Sequence, residues 1–305
     1  MSQRLKADLS LALCSLFWGA TFVVVTGALK HSSTFAFMAA RFTVASFLMA
    51  PAFWKSLRGL RREELWAGAQ IGFFMFSGYA FQTLGLLHTT PSKSAFITGS
   101  SVVLVPVLMA VFWKRRVNQW VWFGALGAAA GLYFITVPSS GLAGLNAGDL
   151  LTLGAAALFA VHIILVGRYS LHHSVGALSF LQVATTALLS ALALPILAFT
   201  GWQAPRFDGS GELFFAIAIT SVLATAVAFS AQVWAQRYTS PGHAAILFSL
   251  EPVFAALTSY IVLHERLGRR ALAGAALVMM GILLSELKGP AQAAADSPGP
   301  VTETP

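Results

Sequence analysis

The chain has almost no charge. Asp, Glu, Lys and Arg make up 10% of its 305 residues, where a soluble globular protein carries roughly 25%. Too few polar groups remain to cover a water-facing surface: 57% of the residues are hydrophobic and the mean hydropathy is +0.75. The solvent for most of the chain is therefore lipid. Cysteine is nearly absent as well. The single Cys14 excludes an intramolecular disulfide and a cysteine-built metal site. No phosphate-cradling Walker loop occurs, which argues against an ATP-driven pump made from this chain alone. HExxH and GxSxG are missing too, which argues against an integral-membrane enzyme of the zinc or serine type. Acidic residues are the scarcer charge, 11 against 19 Lys and Arg, for a net charge of +8. The surplus lies mostly in short loops between apolar runs. There it sets orientation in a membrane; binding nucleic acid would need basic faces on polar helices. No cofactor and no metal is expected.

What is present is a succession of apolar runs long enough to cross a bilayer, which takes about 20 residues each. In the first half they are 9–29, 34–54, 65–88, 92–113 and 118–138; in the second, 149–170, 175–199, 212–237, 241–263 and 270–286. The first run is too long for a signal peptide, whose apolar region covers roughly 7–15 residues. It reads as a spanning helix. Two repeats, 8–138 and 149–286, are expected around a linker at 139–148. Residues 287–305, rich in Pro and Ala, read as a disordered cytoplasmic tail.

Residues 82–135 are echoed 150 positions later. Gln82 matches Gln232, Thr89 matches Thr239, Pro91 matches Pro241, Arg116 matches Arg266, and Gly124 and Gly131 match Gly274 and Gly281. Only nine of the 54 positions are identical. The weight lies in which ones agree: a loop proline, a basic turn and a glycine pair. Each repeat holds five helices, an odd number, so the second copy must enter the membrane upside down. With the N-terminus in the cytoplasm, the inner loops of the first half carry nine Lys and Arg and the outer side two. For the second half the count is three against four, nearly neutral. The first half then dictates topology. The expected fold is an all-α integral membrane protein of the cytoplasmic (inner) membrane. It has ten transmembrane helices in a 5+5 inverted-topology repeat, with both termini cytoplasmic.

Several segments carry a resemblance. The first run contains FWGATFVV, and the second contains Ala40-Arg41-Phe42. The fourth reads PSKSAFITGSSVVLVPVL, and the ninth reads PGHAAILFSLEPVFAAL before HERL. As an ordered set these resemble the EamA-type transporters of the drug/metabolite transporter superfamily, over residues 8 to 286. The resemblance implies ten helices, an inverted repeat and the movement of small metabolites such as amino acids. It does not fix a substrate. The sixth run departs from the pattern: where the first has Trp18-Gly19, it has Ala160-Val161 and then His162.

Polar groups at membrane depth are costly and are the first functional candidates. Glu251 lies about 15 Å into the ninth run, near the midplane. Low-dielectric surroundings disfavour a charged carboxylate, which makes it the proton-coupling candidate. It also reads as a structural carboxyl, protonated or paired with Arg41. Pro252 behind it removes a helical hydrogen bond. His162 reads as a solute contact or as a hydrogen bond between helices. Arg41 resembles the family's second-helix arginine, and reads as gating or structural. Trp18, with Thr21 and Phe22 on the same face, could cradle an aromatic solute or a cation. Tyr79 with Gln82, and Phe229 with Gln232, form matching pairs. The two glutamines sit at opposite depths, which suits two gates better than one site. Thr98, Ser101 and Trp234 complete the candidate substrate-binding set; Gly127 and Gly131 form a packing motif.

The function these features imply is a secondary transporter. It would move small organic solutes (amino acids, similar amphipathic molecules or drugs) by alternating access, with export favoured and a proton as the coupling ion. An integral-membrane enzyme and a passive channel are the alternatives. The partners expected are a small solute and the bilayer, with the chain a monomer or a homodimer.

Overall fold

The computed structural model describes residues 1–114, 116–136, 146–201, 204–264 and 268–288. Most of the linker expected at 139–148, the tail beyond 288 and the echoed Arg266 lie outside the described residues. Within them regular structure is helical, apart from one isolated bridge between Ser32 and Phe207. The elements are α1 (Gln3–Ala28), α2 (Thr34–Ala52), α3 (Trp54–Arg58), α4 (Arg62–Gly85), α5 (Pro91–Thr98), α6 (Ser101–Val111) and α7 (Gln119–Thr136). The second half continues with α8 (Ala147–Tyr169), α9 (Val175–Phe199), α10 (Gly211–Ser221), a π turn (Val222–Val227), α11 (Ala228–Ala235), α12 (Pro241–Phe248), α13 (Leu250–Leu263) and α14 (Arg269–Lys288). Each of the ten apolar runs is helical, within three residues of the expected bounds except at Gln3. There Ser2 caps α1 six residues early, its side chain accepting from the Leu5 amide.

Among the described residues, seven stretches are long and apolar enough to cross a bilayer: 3–28, 34–52, 91–111, 147–169, 175–199, 211–235 and 241–263. Their outward faces carry large apolar side chains such as Phe47, Leu150, Phe199 and Ile261. In water that exposure would be a defect; in lipid it is the rule. The chain is an all-α membrane protein.

The 150-residue echo is a backbone fact as well. Thr90 and Ser240 both cap a helix through their side chains, with Pro91 and Pro241 as the first helical residue. Both helices then break, at Gly99–Ser100 and at Ser249. Both resume, and both stop against a left-handed residue, Lys114 (φ 49°) and His264 (φ 55°). The first two helices of each half follow a second spacing, 141 residues, seen in the caps Ser33 and Ser174. Packing obeys the same pairing. α1 lies along α13 and α11, as α8 lies along α6, α5 and α4; α2 meets α10 as α9 meets α4. Two further contacts, α2 with α9 and α7 with α14, join equivalent helices.

The α7–α14 seam depends on glycine. A Cβ on Gly131 would strike the Gly274 carbonyl, and one on Gly281 would lie 2.6 Å from the Gly124 carbonyl. The glycines expected to pack therefore join the two halves to each other. Gly131→Ala and Gly281→Ala should each cost about 1–3 kcal/mol. That would appear as a lower unfolding temperature in detergent, while Gly27→Ala, with open space around it, should leave it unchanged.

At the end of α1, a clasp ties the following turn to the loop before α10. Ser33 donates its amide to the Arg206 carbonyl at 2.8 Å, and the Arg206 guanidinium donates to the Leu29 carbonyl at 2.8 Å. His31 bridges two carboxylates, with Nδ1 2.6 Å from Asp208 and Nε2 3.0 Å from Glu212. The Asp208 hydrogen bond raises the His31 pKa above 6.5. The Asp208 pKa is lowered, first by the Ser210 amide and then by His31. The histidine contribution is complete below pH 6.5 and is lost as pH rises through the raised value. The aspartate contribution is lost as pH falls below its usual range. Hydrogen-exchange protection of the Ser33 and Asp208 amides, corrected for intrinsic rates, should peak in mild acid and decline above it. In His31→Gln the decline on the alkaline side should vanish.

Candidate functional site

The breaks in the paired helices lie beside a cavity that residues of both halves line. Its wall is close to two-fold. Trp18 corresponds to Phe159, Thr21 to His162 and Phe22 to Ile163 at the 141 spacing; Tyr79 and Phe229, Gln82 and Gln232, Thr98 and Phe248, and Ser101 and Glu251 correspond at the 150 spacing, and all of them line the cavity. Arg41 also lines it. Twelve of the thirteen residues singled out from the sequence are therefore in one wall. Trp234 is not among the lining residues: its ring packs tilted against Tyr238, 5.3 Å between centroids. Phe159 and Phe248 are the lining aromatics that the sequence reading passed over. The counterpart of Trp18 at the 141 spacing is Phe159, one residue from the Ala160 set against it in the sequence.

Glu251 is the second residue of α13. The helix starts afresh at Leu250, so the carboxyl sits where the first amides have no intrahelical partner and the helix dipole is positive. This also corrects the reading of Pro252. It lies in a first turn, where its missing N–H interrupts nothing. The expected pair with Arg41 is not formed: among the described residues the Glu251 carboxyl has no hydrogen-bond or ion-pair partner. Gly19 brings α1 against this turn, since a Cβ there would lie 2.5 Å from the Glu251 carbonyl.

Arg41 is held otherwise. Its guanidinium lies 5.0 Å from the Phe42 ring centre and 4.8 Å from that of Tyr79. Nε donates to Thr225 Oγ1 at 2.8 Å, and Nη2 reaches the Ala224 carbonyl at 3.3 Å and Tyr79 Oη at 3.4 Å. Trp18 Nε1 donates to the same Ala224 carbonyl at 2.9 Å, its ring set between Phe229 and Phe248, both 5.2 Å away. His162 makes the interhelical hydrogen bond considered for it, Nε2 to Gln182 Oε1 at 2.9 Å, while its ring meets Phe229 edge-on. Gln82 donates to Thr98 Oγ1 at 2.9 Å and Gln232 to Gln236 Oε1 at 3.0 Å. Thr21 donates to the Trp18 carbonyl at 2.9 Å. The glutamines expected at separate gates share one cavity, because it extends along the helices far enough to reach both.

The Ala224 carbonyl is available because of the π turn. α4 runs for 24 residues from cap to cap, and its counterpart, α10 to α11, for 25. The surplus residue is absorbed between Val222 and Val227, which widens the helix and frees backbone acceptors. Contacts before the turn show it. Ser221 donates to the Arg41 carbonyl at 2.9 Å, the place where Gly72, 149 residues earlier, approaches the Gln182 carbonyl. After the turn the spacing is 150.

An all-helical membrane protein with a cavity shared by two related halves is built as a carrier is built. Models of the EamA-like transporter family match residues 5–137 and 146–287, and the chain belongs to that family. It is a membrane transporter and not an enzyme. An uncharacterized transporter of Archaeoglobus fulgidus is 37% identical over 286 residues, 94% of this chain and 87% of that one. The uncharacterized transporter YvbV of Bacillus subtilis is 27% identical over 311 residues, 96% and 95% of the two chains. A solved crystal structure, 18% identical, covers 92% of this chain and 96% of its own with a TM-score of 0.74; the likeness is one of fold.

Deleting Ala226 should return α10–α11 to the length of α4 and withdraw the acceptor shared by Trp18 and Arg41. Each hydrogen bond lost costs about 1 kcal/mol, so the unfolding midpoint should fall by several degrees in total. Ala226→Ser, which keeps the length, should not reproduce the fall.

Proposed function

We infer that this transporter is a secondary carrier that moves small amphipathic organic solutes, such as amino acids or drugs, across the cytoplasmic membrane by alternating access. One observation carries the reading: a carboxyl without a partner, Glu251, in an aromatic cavity whose wall both halves build. The aromatic faces suit an apolar body, and the carboxyl suits an ammonium group or a proton. A carboxyl that binds either one in turn couples the solute to the proton gradient, and export is the direction favoured. The reading extends to ten spans, with α4, α7 and α14 joining the seven, and to opposite orientation of the halves. Helix parity, the Lys and Arg counts and the reciprocal packing support it. Both termini then lie in the cytoplasm.

Purified protein in liposomes tests the proposal, with a panel of amino acids, aromatic amines and cationic drugs, with and without a pH gradient. A carrier saturates and shows trans-stimulated counterflow; a channel does neither, and an enzyme alters its substrate. Glu251→Gln should abolish accumulation driven by the pH gradient at least tenfold while counterflow persists. Undiminished gradient-driven accumulation in that variant would remove Glu251 from the coupling.

A further inference from the structure

With Gln82 and Gln232 in one cavity, closures at the two faces have to be made by other groups. The structure holds one contact in two copies. Lys93, third residue of α5, places Nζ 2.6 Å from Asp149 Oδ2 in the first turn of α8. The same carboxylate accepts from Thr89 Oγ1 at 2.7 Å and from the Asn146 amide at 2.8 Å. His243, third residue of α12, places Nε2 3.3 Å from Asp8 Oδ1 near the start of α1, and Arg4 Nε lies 3.8 Å from Asp8 Oδ2. Lys93 and His243 are 150 residues apart, and Asp149 and Asp8 are 141 apart, so both partners keep the spacing of their repeats. Each contact joins the first helix of one half to the fourth of the other.

The two copies lie at opposite ends of the molecule. Asp149 begins α8, whereas α12 begins against the far end of that helix, where a Cβ on Gly167 would lie 2.6 Å from Pro241. Eighteen residues of helix separate those points, about 27 Å and close to the hydrocarbon thickness. Three of the four pairing side chains are at most 11% exposed, and Lys93 keeps a fifth of its side chain open. Lys93–Asp149 is a hydrogen-bonded pair and His243–Asp8 a contact at ion-pair distance; removing one partner of a buried pair leaves the other polar group unpaired, which is costly.

We propose that Lys93–Asp149 and His243–Asp8 are the alternating closures of the transporter. Each seals the seam between a first and a fourth helix at one membrane face, and one of the two opens in each access state. The proposal rests on the alternating-access reading. It differs from that reading in naming where the protein closes.

The test introduces a cavity cysteine, Thr83→Cys, and measures its labelling by a membrane-impermeant maleimide from each face of the membrane. The buried Cys14 provides the background in the parent protein. Lys93→Gln leaves the Asn146–Asp149 cap in place and should raise labelling from the Asp149 face at least fivefold. His243→Gln should raise labelling from the Asp8 face by a similar factor. Lys93→His and His243→Lys, which restore a partner, should return labelling toward the parent rates. If the Gln variants fail to fold, Asp149→Asn and Asp8→Asn take their place, and an unchanged unfolding temperature certifies them. A rise from the same face in both Gln variants, or no change in folded variants, would overturn the closures. Absence of saturable counterflow in the parent protein would instead overturn the carrier reading beneath them.

Discussion

Lipid offers no hydrogen bond, and that deficit decides where this backbone is allowed to be irregular. Every carbonyl and amide in the apolar layer must find its partner within the protein. The chain departs from regular helix inside its spans at three places: the break at Gly99–Ser100, the break at Ser249 and the π turn at Val222–Val227. Residues at the two breaks line the cavity, and the π turn is tied to it through Trp18 and Arg41. The carbonyl freed by the π turn is claimed twice, by Trp18 and by Arg41. The break at Ser249 opens a fresh helix start for Glu251. At the π turn, irregular backbone and polar side chains occur together because each satisfies what the other leaves open.

The same constraint explains how the cavity sides came to differ. Two copies of one sequence make a two-fold frame, and the packing of α1 on α13 and of α8 on α5 and α6 keeps it. The side chains do not. Ser101 corresponds to Glu251, Thr21 to His162 and Thr98 to Phe248. The frame tolerates this divergence because the seams that hold it are elsewhere, in the glycine-lined contact of α7 with α14 and in the buried carboxylate contacts at the two ends.

The helices were legible from the sequence because a run of twenty apolar residues admits few other readings. Most of the cavity wall was legible for a related reason: polar and large aromatic residues in the middle of such runs are few enough to single out. Three things were hidden. The 141 spacing of the first two helices is carried by caps and by Asp8 and Asp149, which an apolar match does not weigh, so Trp18 was set against Ala160 and Phe159 was missed. The break at Ser249 carries no glycine at the break itself, so Glu251 read as mid-helix and Arg41 as its natural partner. The π turn, Val-Leu-Ala-Thr-Ala-Val, is unremarkable in composition. Only the count of residues between two caps reveals it, and helix ends read from a sequence are not known that finely.

The surplus residue has a consequence for whatever occupies the cavity. A strictly two-fold wall offers an asymmetric guest two equivalent poses, related by half a turn. By turning out the Ala224 carbonyl on one side alone, and fixing Trp18 and Arg41 to it, the insertion makes the poses unequal. The flanks keep their phase, so Phe229 and Gln232 still correspond to Tyr79 and Gln82. One added residue, confined to a single turn, gives a duplicated chain a defined head and tail for its guest.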